Sequence, residues 1–272
     1  MALLIRSWNL FQGNTKPAQR RAFLDEMVRL VCADGPDAVC LQEVPAWALG
    51  RLGEWSGMQT FGDLAAPPRI GPLPSTAEIG RALTSLNHGL LRSAFAGQGN
   101  AILLAPRLRP LSRDAIALNG RSFRRAQASW LGLALIPRLA WAKERRICQV
   151  VRAALPDGRV LTLANLHATS YPADRRLADA ELLRAAVFTD GLARPDDVVV
   201  LAGDFNVERS RSETLGSLAS PGWGFSLAAE RGIDHVLVRG AETGAVARWP
   251  DERRRQDGFL LSDHAPIEVE VR

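Results

Sequence analysis

The sequence predicts a mixed α/β fold in a single domain spanning residues 1–272. Short apolar runs, typical of buried strands, alternate with segments whose apolar residues recur every three or four positions, as in amphipathic helices. With 47% hydrophobic residues the chain can bury a core, and no linker or fixed-period repeat divides it. One α/β domain is therefore the simplest interpretation.

The first elements follow from these periods. Residues 3–8 form an apolar run that predicts a strand, and residues 17–32 have helical spacing after a proline. Residues 37–41 predict a second buried strand, which ends at Gln42-Glu43. Residues 61–98 are rich in proline and glycine, so we expect a long surface excursion around a short helix.

The later elements alternate in the same way. Strands are predicted at residues 101–104, 128–136, 147–155, 160–166, 198–202, 233–238 and 267–271, a helix at about 172–187 and a loop at 209–224. Trp8, Trp47 and Trp130 lie close to apolar runs and are expected in the core, whereas Trp223, between two glycines, is the best candidate for exposure.

Composition excludes some classes of protein. No stretch approaches the roughly 20 apolar residues that cross a bilayer, and a secretory leader is not evident, so a cytoplasmic protein is expected. The three cysteines lack metal-ligand spacing and are interpreted as reduced core residues. A net charge of +5 is compatible with a polyanionic partner, although a solvated face is the favoured interpretation of each arginine cluster.

Polar side chains follow or precede the predicted strands repeatedly. Because strand ends can meet at one rim of a sheet, these side chains are expected to converge. The clusters are Asn9, Gln42-Glu43, Asn165 with His167, Asp204 with Asn206, Asp234-His235 and Asp263-His264.

These side chains have the chemistry that phosphodiester hydrolysis needs. Carboxylate and amide oxygens are hard ligands that suit Mg²⁺ or Mn²⁺ rather than zinc, and imidazoles donate to phosphate or exchange protons. An aspartate such as Asp234 would fix the tautomer of one imidazole. The predicted metal ligands are Asn9, Glu43, Asp204, Asn206 and Asp263, and the predicted imidazoles are His167 and His264.

Each cluster also has a purely structural explanation. Asn9 alone is equally typical of a turn cap, and Asp204 with Asn206 is equally typical of an Asx turn. Glu43 alone fits a solvated strand end, and His235 alternates with the strand interior and is interpreted as structural. Independent structural explanations for six clusters are together improbable.

Seven motifs follow one another along the chain: SWNL (7–10), LQEV (41–44), GNAIL (99–103), NLH (165–167), GDFNV (203–207), GIDHVLV (232–238) and LSDHAPI (261–267). In this order they resemble the endonuclease/exonuclease/phosphatase superfamily, which has the DNase I-like fold. The resemblance covers residues 7–267 and implies a four-layer α/β/β/α sandwich of two mixed sheets with a Mg²⁺-dependent phosphoesterase site at one end.

The resemblance also implies residue roles. Asn9 and Glu43 match the family's metal-site pair, Asp263 matches a further acidic residue there, and His264 matches the catalytic histidine, with Asp234 as its carboxylate partner. In the GDFN motif, Asp204 would orient or activate the attacking water and Asn206 would contact the phosphate. His167 matches the histidine that contacts phosphate or protonates the leaving group.

The resulting hypothesis is a metal-dependent phosphoester hydrolase, most plausibly a nuclease that uses in-line attack by a metal-activated water. Asn165-Leu166-His167 stands where abasic-site endonucleases usually have a tyrosine motif, which favours the branches of deoxyribonucleases, sphingomyelinases and inositol-phosphate phosphatases. A lipid or small-molecule phosphoesterase is the first alternative. A non-catalytic binding module with the same fold is the second.

Overall fold

The computed structural model describes residues 2–86 and 95–272, which form two six-stranded sheets packed face to face. In the first sheet β1 and β3 are parallel and the remaining pairs are antiparallel. Its strands, in spatial order, are β14 (Thr243–Arg248), β17 (Ile267–Val271), β1 (Leu3–Asn9), β3 (Ala38–Val44), β7 (Gln98–Leu104) and β4 (Gln59–Ala66).

The second sheet has the same plan, with one parallel pair, β10 and β11, at its centre. Its strands, in spatial order, are β12 (Ser226–Arg231), β13 (Asp234–Arg239), β11 (Val198–Asp204), β10 (Val160–His167), β9 (Ile147–Ala154) and β8 (Arg109–Ala117). Two small sheets are formed by β15 (Arg255–Gln256), β16 (Phe259–Leu261) and β2 (Thr15–Lys16), and by β5 (Arg69–Ile70) and β6 (Leu73–Pro74).

Helices cover the outer faces of both sheets. The described helices are α1 (Leu24–Cys32), α2 (Ala46–Leu49), α3 (Leu52–Ser56), α4 (Ala77–Leu86), α5 (Arg121–Trp130), α6 (Leu135–Lys143), α7 (Arg176–Leu192) and α8 (Glu213–Leu218). Ile5 and Val200 belong to the core between the sheets, Met27 packs α1 on the first sheet, and Leu182 packs α7 on the second. The predicted α/β/β/α sandwich is confirmed.

The central strands are apolar because both of their faces are buried. Every residue of β11 is buried, with the other sheet on one face and α7 on the other. Alternation of polar and apolar residues is therefore lost, and the polar Asp204 stands only at the end of the strand. Eight of the predicted strands lie within three residues of their observed ends.

The strand predicted at 128–136 is wrong. These residues end α5, turn at Gly132 with a φ of 61°, and begin α6. We refer to residues 121–146, which contain both helices, as the helical hairpin. Its run of apolar residues is divided between two surfaces: Ala128 and Leu133 are buried against α7, whereas Trp130 is 81% exposed. The prediction that Trp130 lies in the core is therefore also wrong.

Other predicted boundaries differ from the observed ones for local reasons. Residues 59–66 form an edge strand inside the predicted excursion of residues 61–98, of which 87–94 lie outside the described residues. The helix predicted from residue 17 begins at Leu24, because the Phe23 amide donates to Gly13 O at 2.9 Å and fixes the preceding segment as a turn. The loop predicted at 209–224 contains α8, whose first turn is capped by Ser212 Oγ accepting from the Leu215 amide at 2.9 Å.

Three smaller expectations can be compared with the fold. Cys40 and Cys148 are buried as predicted, whereas Cys32 is partly exposed. Trp223 is half-buried against the second sheet's core rather than freely exposed. Within residues 2–86 and 95–272, every helix is too short or too polar to reach across a bilayer.

Candidate active site

The predicted site residues meet where strands of both sheets end. Asn9 ends β1 in the first sheet and donates through Nδ2 to Asp204 Oδ2, at the end of β11 in the second sheet, at 2.9 Å. Asp234, which begins β13, lies 2.8 Å through Oδ2 from Nδ1 of His264, in the loop before β17. Two hydrogen bonds thus connect the sheets at one rim, as the strand-end pattern predicted.

Asp204 is held on both of its oxygens. Oδ1 accepts from the Asn206 amide at 3.0 Å, which is the Asx turn that the local sequence favours, and Oδ2 accepts from Asn9. Asn206 Nδ2 in turn donates to Ala168 O at 2.9 Å. Asn9 is similar, because its Oδ1 caps a turn by accepting from the Phe11 amide at 2.9 Å. The structural explanations are therefore correct, and they orient these groups toward the site.

His167 completes the centre of the cluster. Its Nε2 lies 3.6 Å from Asp204 Oδ2 and 3.8 Å from Glu43 Oε1. Gln98 Nε2 lies 2.9 Å from its Nδ1, and Arg146 Nη1 lies 3.0 Å from Nδ1 and 3.1 Å from Nε2. A neutral ring whose Nδ1 accepts from Gln98 and Arg146 carries its proton on Nε2, which satisfies the two contacts to Nδ1. That proton then faces the two carboxylates.

Three residues of the rim have strained backbone conformations. Glu43, Asn206 and Ser262 have φ values of 54°, 52° and 58°, a left-handed region that non-glycine residues rarely adopt. Ser262 Oγ donates to Asn9 O at 2.7 Å and accepts from the His264 amide at 3.1 Å, which ties the two loops together. Such strain persists only where the surroundings determine it, and it concentrates at functional sites.

Burial and charge shift the pKa values in opposite directions. Burial raises the pKa of Glu43, and burial together with the charge of Asp234 raises the pKa of Asp204 to about 7. Burial alone would lower the pKa of His264, but its hydrogen bond to Asp234 raises that pKa to about 10. Burial and the neighbouring Arg146 hold the pKa of His167 well below its usual value. One imidazole is thus cationic and the other neutral near pH 7.

All eight predicted site residues belong to this one network. Asp263 joins it through Oδ1, 4.0 Å from His264 Nε2, and is among the more exposed members. His235 lies outside the network: it is fully buried, its Nε2 is 2.9 Å from Val207 O, and its ring packs 5.1 Å from Phe205. Its structural interpretation is supported.

Sequence reasoning left Gln98 and Asn165 without a role at this site, and it considered Arg146 only as a cation that a polyanionic substrate could contact. Gln98 and Arg146 contact His167, and Arg146 is buried and paired with Glu144 at 2.7 Å rather than displayed on the surface. Asn165 donates to Leu41 O and Ala101 O at 3.0 and 2.9 Å and so joins the sheets beneath the site. Their positions in the sequence could have indicated them, because each lies at or next to the end of a strand near the rim.

The carboxylates suit a hard divalent cation. Glu43 and Asp204 both accept from Asn9 Nδ2, at 3.3 and 2.9 Å, and both have raised pKa values, so a cation between them would relieve their repulsion. Oxygen or nitrogen atoms of Asp204, Asp234 and His264 also lie within 4.8 Å of one another. Because Asp234 and His264 already bond each other, the Glu43 and Asp204 side is the better candidate metal site.

Comparison with known proteins agrees with the fold. The model of the Endonuclease/Exonuclease/phosphatase family matches residues 7–264. An endonuclease/exonuclease/phosphatase structure from Beutenbergia cavernae has 16% identity and a TM-score of 0.68, over 100% of this chain and 71% of that one. Truncated Caenorhabditis elegans TDP2 has 15% identity and a TM-score of 0.63, over 100% and 97%. No curated protein matches the sequence.

Proposed function

Because the chain belongs to the endonuclease/exonuclease/phosphatase family, we propose that it hydrolyses a phosphodiester at the rim site with Mg²⁺, or Mn²⁺, as cofactor. The observation that carries the proposal is the pair of hydrogen bonds between the sheets, Asn9 to Asp204 and Asp234 to His264. Residues that are far apart in sequence would not adopt this arrangement for the stability of either sheet alone.

The side chains divide the chemistry between them. A divalent cation at Glu43, Asp204 and Asp263 would supply charge neutralisation for the phosphate oxygens. Asp204, fixed on both oxygens, is placed to orient the attacking water. His264, with Nδ1 held by Asp234, presents Nε2 to the developing negative charge.

The remaining two residues bind the phosphate. His167 presents Nε2 toward Asp204 and Glu43, so a phosphate entering between them would receive its hydrogen bond. Asn206 lies next to Asp204 with its amide nitrogen bound to Ala168 O, which orients its amide group for the same phosphate. The two groups would hold the phosphorus in line with the water and the leaving oxygen.

Nucleic acid is the first candidate substrate, because the chain has a net charge of +5. A lipid phosphoester is the second candidate, favoured by one feature of the fold: the helical hairpin that leads to Arg146 exposes several large apolar side chains. All eight predicted site positions are retained, which argues against a non-catalytic binding module.

The test is a screen of the purified protein on DNA, RNA, abasic DNA, phosphoinositides and sphingomyelin, with Mg²⁺ or with chelator. We expect Mg²⁺-dependent release of product, and His264→Ala and Glu43→Gln should lower kcat by about a hundredfold or more while the variants still unfold cooperatively on heating. Glu242→Gln, on the exposed surface, is the matched control. Equal turnover in His264→Ala would reject the assigned site, and turnover of lipids alone would reject the nuclease.

A further inference from the structure

The basic charge of the chain is concentrated on the helical hairpin, residues 121–146. This segment contains seven basic side chains and one acidic side chain, a net +6 against +5 for the whole chain. The one acidic residue, Glu144, is paired with the buried Arg146. Among the described residues, no carboxylate forms an ion pair with the exposed Arg121, Arg125, Lys143 or Arg145. These cations are available to an external anion.

The same hairpin presents large apolar side chains to solvent. Trp130 is 81% exposed, and Leu135, Ile136 and Leu139 are 69%, 71% and 62% exposed. Positions 135, 136 and 139 share one face of α6, beside the turn that carries Trp130. Leaving four such side chains in water is unfavourable, by about 1.5–3 kcal/mol for each large aliphatic group relative to burial.

The hairpin is held rigidly although its tip is exposed. Trp141 is fully buried and donates through Nε1 to Glu181 Oε1 at 2.5 Å, and Ala128 and Leu133 pack with it against α7. Asn119 closes the base of the hairpin by donating to Glu144 O at 2.6 Å and accepting from the Arg146 amide at 2.9 Å. The exposed side chains are therefore presented on a fixed support, not on a fraying segment.

The apolar surface continues onto α7. Leu183 and Val187, which are 43% and 55% exposed, line a groove of about 620 Å³ with Phe123 and Trp130. At the other end of the hairpin, Arg146 contacts His167 of the candidate active site. The base of the hairpin, at Arg146, thus reaches the candidate active site.

We propose that the helical hairpin docks the protein on an anionic lipid surface, with Trp130, Leu135, Ile136 and Leu139 inserted at the headgroup boundary and the surrounding cations on lipid phosphates. Exposed tryptophan and aliphatic side chains bordered by arginine and lysine are the composition typical of interfacial helices, and the one acidic residue of the hairpin, Glu144, is paired with Arg146. A polynucleotide would attract the same cations but would leave the aliphatic groups in water. A neutral lipid surface would accept the aliphatic groups but not the cations.

The test is sedimentation of the full chain with vesicles, with chelator present so that binding is measured without hydrolysis. We expect binding to phosphatidylcholine vesicles containing about 30 mol% phosphatidylserine, weak binding to phosphatidylcholine alone, and weakening at about 0.5 M salt. A blue shift of tryptophan fluorescence should accompany binding and should diminish in Trp130→Ser. The double variant Trp130→Ser/Ile136→Ser should lose binding about tenfold or more.

Control variants separate the alternatives. Val246→Ser, at an exposed valine on β14, should bind as the wild type does, and Arg121→Gln/Arg125→Gln should bind more weakly only to the anionic vesicles. Wild-type protein that stays in solution with anionic vesicles would overturn the proposal. So would hairpin variants that lose affinity for DNA or self-association in light scattering while vesicle binding is unchanged. Because hydrolysis is measured separately, failure of docking and failure of the proposed catalysis are distinguishable.

Discussion

The substitution Gly203→Ala tests how closely the second sheet must pack to form the site. Gly203 has a φ of 144°, a conformation that residues with a side chain rarely adopt, and it is paired with Leu166 in the β10 and β11 ladder. A Cβ atom at this position would lie 1.9 Å from Leu166 O. The two strands carry His167 and Asp204 at their next positions, so the clash falls directly beneath the candidate active site.

The size of the effect follows from that distance. Contacts of a Cβ with backbone below 3.0 Å essentially do not occur, so the strands must separate locally by about 1 Å from the 1.9 Å position. Separation would leave one or two buried backbone hydrogen bonds unmade, at about 1–3 kcal/mol each, and the unfavourable φ adds about 1–3 kcal/mol. We expect a loss of about 4 kcal/mol, which lowers Tm by roughly 10 °C in a chain of this size.

The assay is thermal unfolding by circular dichroism, with Gly191→Ala as the matched control. Gly191 lies in α7, and a Cβ atom at this position would meet no obstacle within 4 Å, so alanine should raise stability by about 0.5–1 kcal/mol. In the folded fraction of Gly203→Ala, displacement of the site by about 1 Å should lower kcat by about a hundredfold. A Tm within about 2 °C of the wild type would refute the packing argument.

Three further predictions concern stability and positioning. The hydrogen bond from Arg6 lowers the pKa of Asp34 to about 2. The ionised carboxylate therefore stabilises the fold above about pH 4, and this stabilisation is lost as the pH falls through 2. In urea titrations Asp34→Asn should lower the free energy of unfolding by about 1 kcal/mol at pH 7, a value reduced because the side chain is half-exposed, and by less at pH 3. Asn165→Leu removes the side-chain donor to Leu41 O and Ala101 O and the acceptor of buried Gln42 Nε2, and should cost about 3 kcal/mol in the same titration. Arg254→Met removes a donor to the His264 carbonyl and should lower kcat about tenfold with little change in KM.

Each of these predictions has a distinguishing control. If Asp34→Asn cost the same free energy of unfolding at pH 7 and at pH 3, the ion-pair argument would be contradicted. Asn165→Asp would keep an acceptor but lose the donors, so stability equal to wild type would exclude the proposed link between sheets. If Arg254→Met raised KM alone, the residue would act on binding rather than on His264.

The buried strands and the polar residues at their ends were predictable from local sequence patterns, whereas the four-layer sandwich was implied by the resemblance to a known family. A strand buried on both faces must be apolar along its length, so β11 is visible as Val198–Asp204. A polar residue at its end is tolerated only at the rim, which is why Asp204 and Asn206 could be assigned together. Which of their atoms face each other depends on the other sheet, and neither the Asn9 contact nor the roles of Gln98 and Arg146 could be read from spacing.

The predictions failed where a half-exposed element resembled another kind of segment. β8 spans Arg109–Ala117 and exposes seven of its nine residues, so it lacks the apolar run that marks a buried strand. β4 is an edge strand with one buried residue, Ala65, inside a region whose prolines and glycines predict a loop. An edge strand is held by its neighbour's hydrogen bonds rather than by its own burial, and single-sequence patterns carry little of that information.

The prediction for the helical hairpin, a strand with Trp130 in the core, was wrong for a different reason, which concerns the function of the hairpin. An apolar run predicts burial only if the same chain covers it, and here the fold covers Leu133 and Trp141 while leaving Trp130 and Ile136 in water. The net charge of the whole chain likewise does not show where the charge lies. The hairpin has a net charge of +6 and the rest of the chain a net charge of −1, which together give +5. The location of these side chains on the fold therefore changes the expected partner. Net charge alone favoured a polyanion, whereas positive charge beside four exposed apolar side chains favours a lipid surface, which is anionic outside and apolar inside.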